Sequence, residues 1–388
     1  MITIKLPDGS EKSFESPTNG LEIAESIGAG LAKASVAINI NGLQCDLSDQ
    51  IINDAEVSLI TINSDEGLEI MRHTLTAQVL ARAVKNLYPN ARLAIGPTIE
   101  DGFYYDFFFE NQLSVEDLPK IELEMKKIIA SEESIEKSLV PKEVAINLFK
   151  ERSENYKVDI IQNSDQANDF QIYNQGSSGF IDLCRGPHLP SLKHIGAFKL
   201  TKIAGAYWKG DAKNEMLQRI YGTAWLNNKD LKKHLFRLEE AEKRDHRKLG
   251  KIMDLFHFQD EAPGAIFWHP KGWGLFQKLI DYMRKKQSEA GYNEVNTPEL
   301  MDRSLWEASG HWDSFGEHMF TTETGDGRNF AIKPMNCPGH VQIFKQGITS
   351  YRDLPYRLGE FGKVHRYEPS GALHGMLRVR AFTQDDAH

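Results

Sequence analysis

The sequence is poor in cysteine. It has three in 388 residues, Cys45, Cys184 and Cys337, far apart. An odd number at such distances excludes a disulfide framework and reads as separate thiols in a reducing compartment. There is no run of about 18 apolar residues, so no membrane-spanning helix is expected. The opening MITIKLPDGS has no basic start followed by an apolar stretch, so no secretory leader is read and a cytoplasmic chain is expected. A basic excess is also missing: 46 Lys and Arg stand against 55 Asp and Glu, a net charge of -9. That argues against a surface coated in nucleic acid but leaves room for a local basic patch. What is present is ordinary for a folded protein, with 40% hydrophobic and 26% charged residues. The length is too great for one core, so about two to four domains are expected.

Residues 1–62 read as a small α/β unit. MITIKL alternates, Pro7-Asp8-Gly9 turns it into EKSFES, and Asn41-Gly42 joins a second pair of strands. Between them Ser16-Pro17 reads as a helix start, with Leu21, Ala24, Ile27 and Leu31 as its apolar stripe. This is a β-grasp-like pattern. A second unit is expected over 63–225, opening on the helical stretch RHTLTAQVLARAVKNLYP and continuing with a charged helix, SVEDLPKIELEMKKIIASEESIEK. Residues 226–251 read as one charge-dense connecting helix, the most basic stretch of the chain. From 252 a third unit begins, with the helices WGLFQKLIDYMRKKQSEAGY and VQIFKQGITSY. It ends on two segments, YRLGEFGKVHRYEP and GMLRVRAFTQDDAH, that read as antiparallel strands.

The last segment carries the strongest chemical signal. At period 2, Arg378, Arg380, Phe382, Gln384, Asp386 and His388 share one face of a strand. Such a face is a poor core and a good lining for a charged small molecule. Arg366 on the partner segment, with Arg378 and Arg380 opposite, suits a triphosphate, because guanidinium forks match phosphate oxygens. Surface pairing with Glu368 or Asp386 explains the same arginines. Cys337 and His388 are good zinc ligands, but two residues do not make a site, and singly each reads more readily as an ordinary packed side chain. His73, Cys184 and His188 form a third group, with Cys-x3-His on a Pro/Gly turn and Ala77 one helical turn beyond His73. A metal-binding or water-activating cluster is one reading of it.

Taken together and in order, AIGPTIEDGFYYDF, DLCRGPH, AGAYWKGD, MLQRIYGTAW, KPMNCPGHVQIF, SYRDLPYRLGEFG, HRYEPSGALHG and RVRAFTQDDAH resemble the bacterial threonyl-tRNA synthetases. The resemblance covers the whole chain. It implies an α+β, multidomain fold: a β-grasp TGS domain (1–62), an α+β editing domain (63–225), a linker helix (226–251) and part of a class II antiparallel-sheet catalytic core (252–388). GYNEVNTPELM would be class II motif 1, at the dimer interface, and HRYEPSG through RVRAFTQ motif 2. The implied chemistry is ATP-dependent activation of L-threonine and transfer to tRNA(Thr), with Mg2+ accompanying ATP. By carry-over, Arg366 and Arg378 would be catalytic, with Glu368 and Phe382 also on ATP. Met335, Gln384 and Asp386 would face threonine. Cys337 and His388 would be two of three protein ligands of one zinc ion per subunit. The zinc takes the substrate's amino and hydroxyl groups, which rejects valine but admits serine, so Ser-tRNA must be hydrolysed at a second site. His73, Lys157, Asp182, Cys184 and His188 match that editing site.

Two departures bear on function. The family's editing motif begins His-x3-His, but this chain has Ala77 at the second position, so weakened serine clearance is expected. The family's third zinc ligand, its motif 3 and its anticodon-binding domain have no counterpart here. A C-terminally incomplete synthetase is therefore expected, unable alone to activate threonine. The alternatives are an RNA-binding or trans-editing protein and a regulatory paralogue without ligase activity.

Overall fold

The computed structural model describes the chain apart from residues 167–168, 212 and 348–349. The end of the helix expected over VQIFKQGITSY, at 348–349, and residue 212 of the AGAYWKGDAKNEM segment therefore lie outside the described residues. The chain divides into two compact units, Met1–Phe236 and Arg237–His388.

The first unit opens with a five-stranded sheet. Its strand order is Glu11–Phe14, Ile2–Lys5, Ala55–Thr61, Ser35–Ile40, Leu43–Asp46. Both turns read from sequence are there. Gly9 has φ 82, and Asn41 and Gly42 have φ 50 and 86, as a tight hairpin turn requires. The helix differs from expectation. It spans Gly20–Ile27, and Asn19, not Ser16, caps it by accepting the Leu21 and Glu22 N–H groups. That start rotates the buried stripe to Ile23 and Ala24, leaving Leu21 and Ile27 exposed, while Leu31 falls in a separate helix, Ala29–Ala34. Ile2, Ile4, Ile23, Ile38 and Val57 form the core.

Next comes a helix, Asp65–Thr74, capped by Ser64. It widens into a π-helical stretch, Leu75–Leu80, with every residue buried, and tightens again over Ala81–Leu87. Wide turns of this kind are frequent at functional sites. This rod packs Leu75, Val79 and Leu80 against Phe103, Tyr105 and Phe107 of a sheet ordered Ala197–Tyr207, Met216–Trp225, Gly102–Phe108, Arg92–Leu93. The charged helix is shorter than expected, Leu118–Ala130. Its expected tail is instead the strand Ile135–Val140, because Glu132 at φ 51 ends the helix and Ile135 begins to alternate. That strand pairs with Phe170–Gln175, which pairs with Ile181–Leu183, all antiparallel.

The expected helix over 226–251 is two helices, Asn228–Lys243 and His246–Ile252. Asp245 breaks it, because its carboxylate caps the second helix at the Arg247 N–H. In the second unit a helix, Pro270–Glu289, precedes the strand Asn293–Glu294, which pairs in parallel with Leu358–His365. That strand pairs antiparallel with Ala381–Ala387, as the sequence predicts, setting Glu360 opposite Asp386, Gly362 opposite Gln384 and Val364 opposite Phe382. A second antiparallel sheet joins Leu300–Asp302, Asn329–Ile332 and Thr321–Glu323. The helix Cys337–Gly347 follows it. Among the described residues no helix is long and apolar enough to cross a membrane.

Candidate functional sites

The first site lies in the first unit, where the π-helical rod meets the three-stranded sheet. A cavity of about 1000 Å³ is lined by His73, Ala77, Tyr105, Lys157, Asp182 and Cys184, among others. That is the upper end of the usual range for small-molecule pockets, about 300–1,000 Å³. His73 comes from the helix before the π stretch, and Ala77 lies within that stretch on the same cavity wall. Cys184 and His188 sit on the turn after Ile181–Leu183. His73 Nε2 is 2.9 Å from Cys184 Sγ, and the His73 and His188 rings stack at 4.6 Å with 1° between their planes. The donor atoms of these three residues lie within 4.8 Å of one another.

Lys157 and Asp182 form a buried ion pair at 2.7 Å. Asp182 also accepts from the Leu183 N–H at 2.8 Å and the Tyr105 hydroxyl at 3.3 Å. Burial pushes the Asp182 carboxyl above the usual carboxylate range, against the pull of Lys157. Burial lowers the His73 and His188 imidazoles, so both are neutral at pH 7. A neutral imidazole can take a proton from water, and a buried ammonium can stabilise an oxyanion. The cavity therefore has the groups for hydrolysis of an ester. All five expected editing residues come together here. Sequence reasoning missed Thr74, whose hydroxyl meets His188 Nδ1 at 3.1 Å, and Tyr105, although Tyr105 lies within a motif it quoted. It also missed Tyr173, whose ring meets His188 edge-on at 4.4 Å.

The second site lies in the second unit, along the strand Ala381–Ala387. Cys337 opens its helix and faces the end of that strand. The donor atoms of Cys337, Asp386 and His388 lie within 4.8 Å of one another. A thiol, a carboxylate and an imidazole so placed fit the donor set zinc prefers. Burial first, and then the Asp386 charge, raises the Cys337 thiol. Asn336 donates to Asp386 at 3.1 Å. Met335, next to Asn336 in sequence, is half-buried, and the Gln384 amide oxygen is buried without a hydrogen-bond partner among the described residues. Arg366, just past the end of the partner strand Leu358–His365, has its guanidinium 5.2 Å from the Phe382 ring centroid and donates to the Pro334 carbonyl at 3.1 Å. Arg378 is exposed and pairs with Glu368 at 3.1 Å. Arg380, the third arginine expected on phosphate, donates to the Glu368 carbonyl at 2.8 Å, so each of the three is held by a protein acceptor.

Behind this strand is a feature the sequence did not signal. Glu360 is fully buried and bonds to Lys333 at 2.8 Å, to His340 Nε2 at 2.9 Å and to the Thr297 N–H at 2.9 Å. The other nitrogen of His340 is 2.9 Å from His388 Nδ1. The four side chains are 20 to 63 positions apart in sequence from Glu360, so only the folded sheet joins them.

Comparison with known proteins finds three family matches along the chain. Residues 2–61 match the TGS domain, residues 171–221 the threonyl and alanyl tRNA synthetase second additional domain, and residues 320–388 the tRNA synthetase class II core domain (G, H, P, S and T). The chain is 57% identical over 389 residues to a threonine–tRNA ligase of Pelagibacter ubique and 56% over 388 residues to one of Aromatoleum aromaticum. Each match takes in 100% of this chain and 60% of the relative. Among solved structures, one titled as the RNA binding domain of threonyl-tRNA synthetase from Cryptosporidium parvum aligns at 46% identity, covering 37% of this chain and 36% of that one, with a TM-score of 0.36. On these matches the chain is similar over its whole length to threonine–tRNA ligases and spans 60% of the length of the curated relatives it resembles.

Proposed function

We propose that the protein is a threonine–tRNA ligase with two separate sites: one that activates threonine, in the second unit, and one that hydrolyses Ser-tRNA(Thr), in the first. The observation that carries this is convergence. Cys184 lies 111 positions from His73, yet the two touch in one cavity beside the Lys157–Asp182 pair.

In the second unit Arg366 holds the α-phosphate of ATP and Phe382 carries the adenine, with Mg2+ accompanying the nucleotide. Arg378 exchanges Glu368 for the outer phosphates. Met335, Gln384 and Asp386 line the place of threonine, and the unpaired Gln384 oxygen is a ready acceptor there. Zinc held by Cys337 and His388 would supply a Lewis-acid anchor for the substrate's amino and hydroxyl groups. The activity is that of the complete protein, acting as a cytoplasmic homodimer on tRNA(Thr).

In the first unit His73 accepts the proton of the attacking water, and Lys157, oriented by Asp182, faces the developing oxyanion. Ala77 contributes no donor or acceptor to the cavity wall, so this hydrolysis is slow for its class. The ligase half is tested by ATP–pyrophosphate exchange, using protein expressed from the complete coding region. Threonine should drive exchange at least 100-fold better than valine, an expectation on the order of what pocket discrimination delivers when a buried polar partner is lost. Equal exchange with the two amino acids would sink the reading.

A further inference from the structure

Asp46 belongs to the N-terminal sheet, at the end of the strand Leu43–Asp46, yet it is buried against the hydrolytic turn of the second domain. Its two oxygens act on the same histidine by two routes. Oδ1 accepts the backbone N–H of His188 at 2.8 Å. Oδ2 accepts the hydroxyl of Tyr173 at 2.7 Å, and the Tyr173 ring is the wall that meets the His188 ring edge-on. The turn lies flush on this tyrosine, since a Cβ at Gly186 would fall 2.0 Å from the Tyr173 hydroxyl oxygen. Lys137 balances the carboxylate at 3.0 Å and also pairs with Asp49. His188 in turn stacks on His73. A chain of direct contacts therefore runs from the N-terminal sheet to the group that meets the substrate.

We propose that Asp46 is a positioning residue for the hydrolytic site, so that the N-terminal β-grasp domain is a working part of the ester-hydrolysing unit. This rests on the reading of that cavity as hydrolytic. The carboxylate fixes both the backbone and one ring face of His188, and His188 fixes the plane of His73. Losing it lets the stack slide. A displacement of about 1 Å in a reacting group costs on the order of 100-fold in rate.

The test uses the 388-residue chain with Asp46→Asn, Asp46→Ala and Tyr173→Phe. Two readouts are taken: Ser-tRNA(Thr) hydrolysis, separated into kcat and KM, and the His73 and His188 ring signals by NMR. Asp46→Asn keeps one acceptor for the His188 N–H, so kcat should fall in the order wild type, Asp46→Asn, Asp46→Ala. The last should drop by about 100-fold with KM within about twofold. The ring signals of both histidines should move in the same order, and Tyr173→Phe should move those of His188. An Asp46→Ala chain that is folded, with kcat and ring signals unchanged, overturns the proposal. If Asp46→Ala does not fold, Asp46→Asn and Tyr173→Phe decide by the same signals. If the wild-type chain does not hydrolyse the ester, the hydrolytic reading fails, while unmoved ring signals in Asp46→Asn would independently overturn the positioning role.

Discussion

Replacing Glu360 by alanine should be the most destabilising single change in the second unit. The carboxylate is fully buried and accepts from Lys333, His340, the Thr297 N–H and the Thr297 hydroxyl at 2.8 to 2.9 Å. The Lys333 side chain is only 1% exposed. Its removal leaves the Lys333 ammonium buried with only the Thr297 carbonyl and hydroxyl as acceptors, at 3.2 and 3.0 Å, and takes the carboxylate acceptor from His340 and the Thr297 N–H. Breaking one side of a buried pair costs about 3–5 kcal/mol. With a denaturant slope near 2 kcal/mol per molar, the urea midpoint should fall by about 2 M. Hydrogen exchange of peptides covering Leu358–His365 reads this unit alone, which matters because two units need not unfold together. The double variant Glu360→Gln with Lys333→Met should lose less than the sum of its singles, because the partners are in contact. The pH dependence has a definite sign. Burial opposes ionisation of Glu360, but Lys333 and Thr297 outweigh it and bring its carboxyl below its ordinary value of 4.5. Its contribution is therefore fully present above pH 4.5 and disappears as the pH falls through the lowered value. A midpoint shift below about 0.5 M for Glu360→Ala, or strict additivity with Lys333, would refute the reasoning.

Other consequences are open to direct measurement. Lys157→Met should reduce kcat for Ser-tRNA(Thr) hydrolysis by about 100-fold, since it removes the buried cation of the cavity wall that pairs with Asp182 and leaves that carboxylate without its ion-pair partner; an unchanged kcat contradicts its role. Ala77→His should raise the hydrolytic rate by about 10-fold or more, by adding a general base to the cavity wall; no gain in a folded variant would mean that His73 already suffices. Zinc bound by the chain, measured by elemental analysis after dialysis, should fall in Cys337→Ser and persist in Cys184→Ser; the opposite pattern would move the metal to the first unit.

Much of this was legible in the residues because it is local. Asn41-Gly42 and Pro7-Asp8-Gly9 name their own turns, and the alternation through RVRAFTQDDAH gives both the strand and the face shared by Phe382, Gln384 and Asp386. The errors were also local, where two signals competed. Asn19 caps the first helix better than Ser16, and the difference of three residues turns the stripe onto Ile23. Asp245 looked like one more charge in a helix, although its carboxylate starts a new one. Residues 135–137 closed the expected charged helix but belong to the strand Ile135–Val140, which pairs with Phe170–Gln175, a contact sequence cannot supply. For the same reason the supports of the sites went unread. Asp46 looks like part of a polar turn, and Lys333, Glu360 and His340 look like ordinary charges, until the fold brings them under His188 and behind Asp386.

The most direct test of two sites in this protein is hydrolysis of Ser-tRNA(Thr) by the 388-residue chain, with Thr-tRNA(Thr) as control and His73→Ala as the blank. Serine release faster than the uncatalysed rate, sparing threonine and abolished in His73→Ala, is the predicted result. Release no faster than in buffer, or release that His73→Ala leaves unchanged, would contradict the assignment of the cavity as the hydrolytic site.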